Sequence, residues 1–234
     1  DWRKYFNYPF GWGTIAPCYI ANVTPLLNAY RQQLETHHRL LTEKFNVGDL
    51  QLHGDGVQYK NITAKKIIFC DGESGLTNPW FNRLPYSPNK GEALILHIPG
   101  LPAHHIYKLK HTLIPVDAGA ALFWFGSSYE WTYDDDRPTE GFRKSAEAEL
   151  KRFLRLSYTV TGHQAAVRSA NIERRPFAGL HPHHPQIGIL NGMGTKGCSL
   201  APYFAHQLAE HLVRGTPLSP AADVGRFERI LADF

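Results

Sequence analysis

I-G-I-L-N-G-M-G-T-K-G-C-S-L-A-P, from Ile187 to Pro202, is the stretch that decides the fold. Its first four residues predict a short apolar strand, and glycines follow at positions 192, 194 and 197. A helical pattern comes next, with apolar side chains on one face at Leu200, Phe204, Leu208 and Leu212. A strand, a glycine-rich turn and a helix N-terminus present bare backbone N–H groups and a positive dipole end to a ligand. Such turns also serve only to cap and pack helices, so the turn alone leaves both roles open.

The composition is that of an ordinary globular protein. The chain has 234 residues, of which 43% are hydrophobic and 20% charged, and its formal net charge is +4. No apolar run approaches the roughly 20 residues of a transmembrane helix, so we expect no membrane partner. Three scattered cysteines, Cys18, Cys70 and Cys198, predict reduced thiols in a cytoplasmic protein. The mild positive charge permits a nucleic-acid partner without implying one.

Several helices are predicted from capping residues and apolar periodicity. Thr24 and Pro25 predict a helix start, with an apolar stripe that continues to Leu41. The clearest helix spans Thr139 to Leu156, with Thr139 as the N-cap. The other predicted helices are Ser74 to Asn82, Gly197 to Arg214 with Gly215 as the C-cap, and Asp223 to Leu231.

Extended segments fill much of the remaining chain. Glu92 to Ser127 contains several strand-like runs joined by proline and glycine turns, which predicts an antiparallel sheet. The Asp-Gly pair within His53 to Gly56 predicts a hairpin turn. The other predicted strands are 43–46, 49–52, 57–60, Lys66 to Cys70, and Ser157 to Ile172.

Arg168 is the strongest candidate for a substrate-binding residue. It follows Ala165, Ala166 and Val167 in an extended stretch, so its guanidinium projects from apolar surroundings. There it offers a planar fork that suits a carboxylate. The alternative is a structural arginine paired with an acidic neighbour such as Glu173.

Histidine-rich segments raise the hypothesis of a metal site. Neighbouring histidines on a regular element point apart, and no H-E-x-x-H or zinc-finger spacing occurs. Nor is there a G-x-S-x-G motif or a P-loop, so we expect no metal and no hydrolase or kinase site. The histidine-rich segments are His37-His38, His104-His105 and His181-Pro182-His183-His184.

Three segments upstream of the quoted stretch follow further sequence patterns. Ala64 to Ser74 is a strand that enters a turn of the form A-x-G-x-W/S, with Cys70 in place of the alanine. Pro88 to Glu92 is similar to P-x-R/K-G-Q, and Ala166 to Gly179 is similar to G-x-R-x…P-x-x-G. In this order and spacing, the set resembles the FAD-dependent oxidoreductases of the D-amino-acid oxidase and glycine oxidase superfamily.

The resemblance implies an α/β (α+β) fold in which part of an FAD-binding domain is intertwined with an antiparallel-sheet substrate domain. It implies a domain edge at 1–20, FAD-binding parts at 21–85 and 161–234, and a substrate-binding sheet and helix at 86–160. Arg168 would bind the substrate carboxylate, and no catalytic acid–base residue is implied. The residues implied to bind FAD are Asp71, Gly72, Lys90, Gly91, Gly192, Gly194, Thr195, Lys196 and Gly197.

The activity implied is oxidation of a C–N bond of an amine or amino acid by hydride transfer to the flavin. The family begins with a strand, G-x-G-x-x-G and a helix, ending in an acidic residue that holds the ribose, and residues 1–186 of this sequence contain no such unit. We therefore expect the C-terminal part of a larger oxidoreductase, or a chain that lost its nucleotide-binding start.

Two alternatives stay open. Val167-Arg168-Ser169 and Gly194 to Gly197 resemble the tRNA wobble-uridine-modifying branch, which acts on a carboxymethylaminomethyl group, so tRNA is a candidate partner. The second alternative is a non-catalytic binding module without cofactor. Its aromatic segment from Trp2 to Trp12 would then form an apolar surface for a partner, with a second copy as one candidate.

Overall fold

The computed structural model describes residues 1–232, and the chain divides into two compact units. The first unit comprises Asp1–Ala16 and Pro88–Arg168, and the second comprises Pro17–Ser87 and Ser169–Phe234. Helices and antiparallel sheets together confirm the predicted mixed α/β fold class. The strand that carries Arg168 belongs to the first unit.

The regular elements are numbered in chain order. The helices are α1 Val23–Thr36, α2 Glu140–Phe153, α3 Gly197–Arg214 and α4 Glu228–Leu231. The strands are β1 Leu50–His53, β2 Gly56–Tyr59, β3 Ile62–Ala64, β4 Ile67–Phe69, β5 Asn89–His97, β6 Tyr107–Lys108, β7 Thr112–Asp117, β8 Leu122–Gly126, β9 Thr159–Arg168, β10 Phe177–His181 and β11 His184–Asn191.

A five-stranded antiparallel sheet in the order β6-β7-β8-β5-β9 forms the first unit. Side chains alternate between its two faces, as the two-residue period of a strand requires. On β5, Leu94 and Leu96 are fully buried in a core shared with Phe142 and Leu150 of α2. The opposite face is here called the outer face. It carries Gly91 and Ala93 of β5, and Ala166 of β9, which is paired with Gly91.

The N-terminal aromatic segment is divided between core and surface. Phe6 is 5% exposed and stacks on Phe153 with ring centroids 4.6 Å apart, whereas Phe10 is fully exposed. The proposed apolar surface from Trp2 to Trp12 is therefore incomplete, because burial of Phe6 contributes to the core instead.

Helix α2 begins as its sequence predicts. The hydroxyl of Thr139 accepts a hydrogen bond from the Phe142 N–H at 3.2 Å, which confirms Thr139 as the N-cap. Thr139 is itself held by the fully buried carboxylate of Glu92, which accepts from its N–H at 2.6 Å and from its hydroxyl at 2.8 Å. The start of α2 is thereby attached to β5.

Glu92 also faces two cationic or potentially cationic side chains. Lys90 Nζ lies 3.4 Å from Glu92 Oε1, and both side chains are almost fully buried. His163 Nε2 on β9 lies 2.9 Å from Glu92 Oε2, in a geometry that makes a close polar contact and not a directed hydrogen bond. One buried carboxylate therefore joins β5, β9 and α2.

We expect Glu92→Ala to lower the free energy of unfolding by about 3–5 kcal/mol, because it leaves the buried Lys90 ammonium without its partner. Glu147→Ala is the matched control, since its pair with Arg143 is partly exposed and should contribute less than about 1 kcal/mol. Urea unfolding measures both values. Equal losses in the two variants would contradict the role given to Glu92.

The second unit contains two small sheets. In one, β11 runs parallel to β4 and antiparallel to β10. In the other, β1, β2 and β3 form an antiparallel meander, and the turn at Gly54 and Asp55 confirms the predicted hairpin. Phe81, Phe177 and Ile189 are fully buried in the core of this unit.

Helix α3 has the predicted bounds. It spans Gly197–Arg214 and ends at Gly215, whose φ of 71° is the left-handed conformation that glycine adopts without steric cost. Phe204 and Leu208 are its buried residues, one turn apart on the predicted apolar face. The C-cap glycine and the apolar periodicity are local sequence signals, and the structure confirms both.

Three local predictions are wrong. Helix α1 begins at Val23 and ends at Thr36, because the left-handed φ of 52° at His38 prevents continuation to Leu41. The segment 43–46 forms no strand. A 3-10 helix over Gly72–Leu76 followed by turns replaces the predicted helix at Ser74 to Asn82, where Pro79 supplies no backbone donor.

His181 makes the stability of the second unit depend on pH. Burial, followed by the neighbouring His184 and His183, lowers the pKa of His181 from 6.5 to about 4. Between these values the unfolded chain binds the proton that the folded chain excludes, so stability is lost as the pH falls from 6.5 towards 4.

We expect this loss to be about 1–3 kcal/mol for the wild type and to shrink in His181→Gln, measured by urea unfolding at several pH values. A glutamine keeps an acceptor for the His183 N–H, which now donates to His181 Nδ1 at 3.2 Å. His206→Gln, at an exposed position of α3 in the same unit, is the control that should keep the wild-type pH dependence. An unchanged slope in His181→Gln would refute the assignment.

Candidate functional site

The second unit brings two predicted flavin-binding segments together at the ends of parallel strands. Ile189 on β11 is aligned with Phe69 on β4, so Asp71-Gly72 and Gly192 both follow the carboxyl ends of these strands. In α/β sheets, ligands bind outside the carboxyl ends of parallel strands. Asp71 and Gly192 are far apart in sequence, and the parallel pairing makes them neighbours.

Asn191 holds the two segments in place. Its Nδ2 donates to Asp71 Oδ1 at 2.9 Å and to the Gly72 carbonyl at 2.8 Å. Its Oδ1 accepts from the Gly192 N–H at 2.7 Å and from the Ser169 hydroxyl at 2.8 Å. The sequence analysis missed Asn191, although a polar side chain directly after an apolar strand is a usable signal.

The glycines of this site play different structural roles. Gly192 has a φ of 75°, and a Cβ there would lie 2.8 Å from the ring of Phe177. Gly72 also has a positive φ, of 56°, but no atom lies within 4 Å of a Cβ built on it or on Gly197. Gly192 therefore permits internal packing, whereas Gly72 and Gly197 leave the backbone open to a ligand.

The loop before α3 leaves polar groups at the surface. Gly194–Lys196 forms a single 3-10 turn, in which Thr195 and Lys196 are exposed. Within residues 1–232, no side chain caps the N-terminus of α3. The positive dipole end of the helix can therefore attract an electron-rich group.

Arg168 lies at the end of β9 in the first unit. Its Nη1 donates to Asn89 Oδ1 at 2.7 Å and to the Ser128 carbonyl at 3.3 Å, and its Nη2 donates to the Ser127 hydroxyl. All three acceptors are uncharged. The ring of Tyr129 lies 4.8 Å from the guanidinium carbon.

No carboxylate balances this guanidinium among the described residues. Glu173, the predicted alternative partner, binds Arg226 instead at 3.1 Å. Burial lowers the pKa of the Arg168 guanidinium, and the neighbouring Tyr129 acts in the opposite direction. A partly buried cation held by neutral acceptors keeps most of its attraction for an added anion.

Gly91 makes room for Arg168. It lies on β5 opposite Ala166, and the guanidinium of Arg168 occupies the space that a Cβ on Gly91 would fill. Lys90, by contrast, is directed into the core, where it is 1% exposed and faces Glu92. The predicted contact of Lys90 and Gly91 with a cofactor stays a prediction.

The predicted site residues thus form one group in each unit. Arg168, Lys90 and Gly91 lie on neighbouring strands of the first unit. Asp71 and Gly72 lie beside the loop that precedes α3 in the second unit, and this loop contains Gly192, Gly194, Thr195, Lys196 and Gly197.

Two further features concern the grouping of metal-binding side chains and the apolar character of the helices. Among residues 1–232, no group of three or more histidine, cysteine, aspartate or glutamate side chains could hold a metal ion. The histidines at 181, 183 and 184 instead cluster with their rings 5.1–6.1 Å apart. Within the same residues, none of the helices combines the length and the apolar character that crossing a bilayer requires.

Gly91→Ala should displace the Arg168 guanidinium and weaken the binding of a small carboxylate such as acetate about tenfold or more. Gly162→Ala is the matched control on the same pair of strands, since its Cβ would meet Ile95 at an ordinary 3.4 Å. Titration followed by NMR measures both affinities. Equal affinity in the two variants would show that the position of Arg168 does not determine anion binding.

No protein-family model matches the chain. Among solved structures, it is similar to iminodiacetate oxidase from Chelativorans sp. BNC1, with a TM-score of 0.67 and 21% identity, over 85% of this chain and 57% of that one. It is also similar to glycine oxidase from Geobacillus kaustophilus, with a TM-score of 0.60 and 17% identity, over 76% of this chain and 50% of that one.

A third similar structure is the deglycating enzyme fructosamine oxidase from Aspergillus fumigatus, with a TM-score of 0.58 and 11% identity, over 78% of this chain and 51% of that one. The chain spans about half the length of each of these proteins. Its fold is therefore similar to part of the fold of these three oxidases.

Proposed function

We propose that the chain supplies the substrate-binding sheet and a flavin-contacting loop of an FAD-dependent oxidoreductase that oxidises a C–N bond of an amine or amino acid. The observation that carries this proposal is Arg168, a partly buried guanidinium with three neutral acceptors and no carboxylate among residues 1–232. The similarity to oxidases of iminodiacetate, glycine and fructosamine supports it at the level of the fold.

Arg168 would fix the orientation of the substrate through its carboxylate. Asn89 and Ser127 hold the guanidinium against rotation, and orientation of this kind reduces the entropic cost of reaching the transition state. Ala93 and Ala166 are small residues on the same face of the sheet as Arg168. Small side chains leave space for a substrate body beside the anchored carboxylate.

The open backbone at Gly72 and Gly197 fits a flat cofactor, because neither position has a side chain or a neighbour within 4 Å of a built Cβ. Asp71, Gly72, Gly192, Gly194, Thr195, Lys196 and Gly197 are the residues that would hold the flavin ring in the second unit. FAD, when bound, accepts the hydride from the substrate α-carbon.

Backbone N–H groups at the start of α3 would stabilise negative charge on the pyrimidine side of the reduced ring. Lys196 is exposed at the same helix start and adds a positive charge there. The chain thus contributes orientation and electrostatics, and this class of reaction requires little acid–base chemistry from the protein.

The G-x-G-x-x-G spacing of this sequence, Gly192 to Gly197, is the proposed ring-contacting loop, and among the described residues the helix after it leads to no further strand whose acidic end could hold the ribose. The loop at Gly192–Gly197 supplies contacts for the ring end of FAD alone, so we propose that tight cofactor binding requires the remaining half of the oxidase fold. The tRNA-modifying alternative shares the same amine oxidation, and its partner stays a prediction that rests on the resemblance and the net charge of +4.

One observation favours the alternative of a binding module. None of the residues of α1 is buried, and its apolar side chains Leu26, Leu27 and Tyr30 are 56–68% exposed. Apolar surface of this kind marks an interaction site. Two measurements separate the two functions: an absorbance scan of the chain joined to the remaining half of the oxidase fold after unbound FAD is removed, and light scattering of the chain by itself. Flavin retained by the joined protein supports the oxidase, whereas self-association of the chain with no flavin retained by the joined protein supports the binding module.

Arg168→Lys in the flavin-loaded enzyme should raise KM at least tenfold for an amino acid and leave KM for the corresponding amine without a carboxylate unchanged. Lysine keeps the charge but loses the planar fork. Steady-state kinetics with the pair glycine and methylamine tests this, with Arg143→Lys at a partly exposed position of α2 as the control. An equal effect on both substrates would contradict carboxylate binding by Arg168.

A further inference from the structure

Three large apolar side chains adjoin one another on the outer face of the first unit's sheet. Ile114 on β7 is paired with Trp124 on β8, which is paired in turn with Ile95 on β5. Paired residues on neighbouring antiparallel strands have their Cβ atoms about 5 Å apart, so the three side chains form one continuous surface. This set is here called the apolar strip.

The apolar strip lies on the face of the sheet opposite to α2. Its neighbours along the three strands, Leu94, Leu113 and Phe125, are fully buried in the core that also contains residues of α2. The three residues of the strip stay partly exposed instead. Adjoining apolar side chains that remain accessible mark a ligand-binding groove.

Arg168 shares this face and adjoins the same cleft. Gly91 lies on the outer face, so Asn89, two residues before it, and Arg168, which is paired with Asn89, lie there too. The residues that surround the guanidinium line one cleft with two residues of the apolar strip: Ser127, Ser128 and Tyr129 with Ile114 and Trp124. The proposed anchor and the strip are therefore parts of one site.

The Arg168 guanidinium keeps two N–H donors for a ligand. Of its five donors, the bonds to Asn89, Ser127 and Ser128 use three. Within residues 1–232, the Nε–H and one N–H of Nη2 make no hydrogen bond, and these two donors lie on one edge of the guanidinium, where a carboxylate can accept from both. Nη2 lies beside Ser127, which directly follows β8, the strand that carries Trp124.

The distance between the guanidinium and the apolar strip sets the length of the ligand. The guanidinium occupies the place of a Cβ on Gly91, and Gly91 lies four residues before Ile95 on β5, which corresponds to about 13 Å of strand. A ligand as short as glycine therefore reaches the guanidinium but not the strip. We propose that the substrate of this site is a carboxylated amine with an extended apolar arm, whose carboxylate binds Arg168 and whose arm packs on the apolar strip. This inference rests on the proposed function and names its substrate class.

The test compares acetate, 5-phenylpentanoate and the neutral 5-phenylpentanamide in NMR titrations of the chain with ¹⁵N-labelled tryptophan, and it requires no flavin. We expect 5-phenylpentanoate to bind about tenfold more tightly than acetate, the effect of burying about 60 Å² of apolar surface. It should also shift the indole signal of Trp124. The amide should bind more weakly than the acid, because it lacks the charge that attracts Arg168.

The outcomes separate this inference from the proposed function. Equal affinity for acetate and 5-phenylpentanoate would overturn the role of the apolar strip and leave the Arg168 anchor in place. Equal affinity for 5-phenylpentanoate and its amide would show that the strip and Arg168 do not act on one ligand, which also overturns the inference. No binding of either carboxylate would overturn both the anchor and the inference.

Three variants locate the apolar arm, with affinities measured by ligand-observed NMR. Trp124→Ala should bind 5-phenylpentanoate no more tightly than acetate. Trp12→Ala should keep the wild-type difference, because Trp12 is a 61% exposed tryptophan of the same unit outside the cleft lining. Ile114→Thr keeps the β-branched shape that suits a strand, so it serves if Trp124→Ala does not fold, and it should reduce the difference about threefold. A wild-type difference in Ile114→Thr, or its loss in Trp12→Ala, would overturn the proposal.

Discussion

The fully buried carboxylate of Glu92 is the interaction on which the first unit depends. It joins Thr139 at the start of α2, Lys90 on its own strand and His163 on the neighbouring strand. The backbone N–H of Glu92 donates to the Ser128 hydroxyl at 2.9 Å. The carbonyl of Ser128 in turn accepts from Arg168, so the buried charge network and the proposed substrate anchor share one segment. Burial of several charged groups is tolerated here because each faces an opposite charge or a hydrogen-bond partner.

In the second unit, the side-chain amide of Asn191 joins segments that are distant in the sequence. Asn191 uses both its donor and its acceptor atoms to join the turn after β4 to the turn after β11. Because the parallel pairing places both turns at one edge of the sheet, a single side chain can link them. The neighbouring Gly75 shows how closely this edge is packed, since a Cβ there would lie 2.8 Å from Asn191 Nδ2.

The proposed substrate anchor of the first unit is fixed before a ligand arrives. Arg168 has neutral acceptors and so retains its attraction for a carboxylate. Such pre-organisation lowers the entropic cost of binding.

The sequence by itself determined the elements whose signals are local. Thr139 as an N-cap, Gly215 as a C-cap and the Asp-Gly hairpin all depend on residues within a few positions, and all are present in the structure. It also singled out Arg168 as a candidate for binding a carboxylate, which stays a prediction, and it did not anticipate the polar groups of Asn89, Ser127 and Ser128 around the guanidinium. The sequence could not show that α1 stays exposed, because an apolar stripe has the same pattern whether or not a partner covers it.

Only the tertiary structure decided which distant residues meet. Asn191 and Asp71 are 120 positions apart, Arg168 and Asn89 are 79 apart, and His111 and Glu149 are 38 apart. Gly91 could be interpreted from sequence as part of a cofactor motif, whereas the structure shows that its missing Cβ leaves space for Arg168. Contacts between separate strands depend on pairing register and chain topology, and neither is encoded in the spacing of residues along one segment.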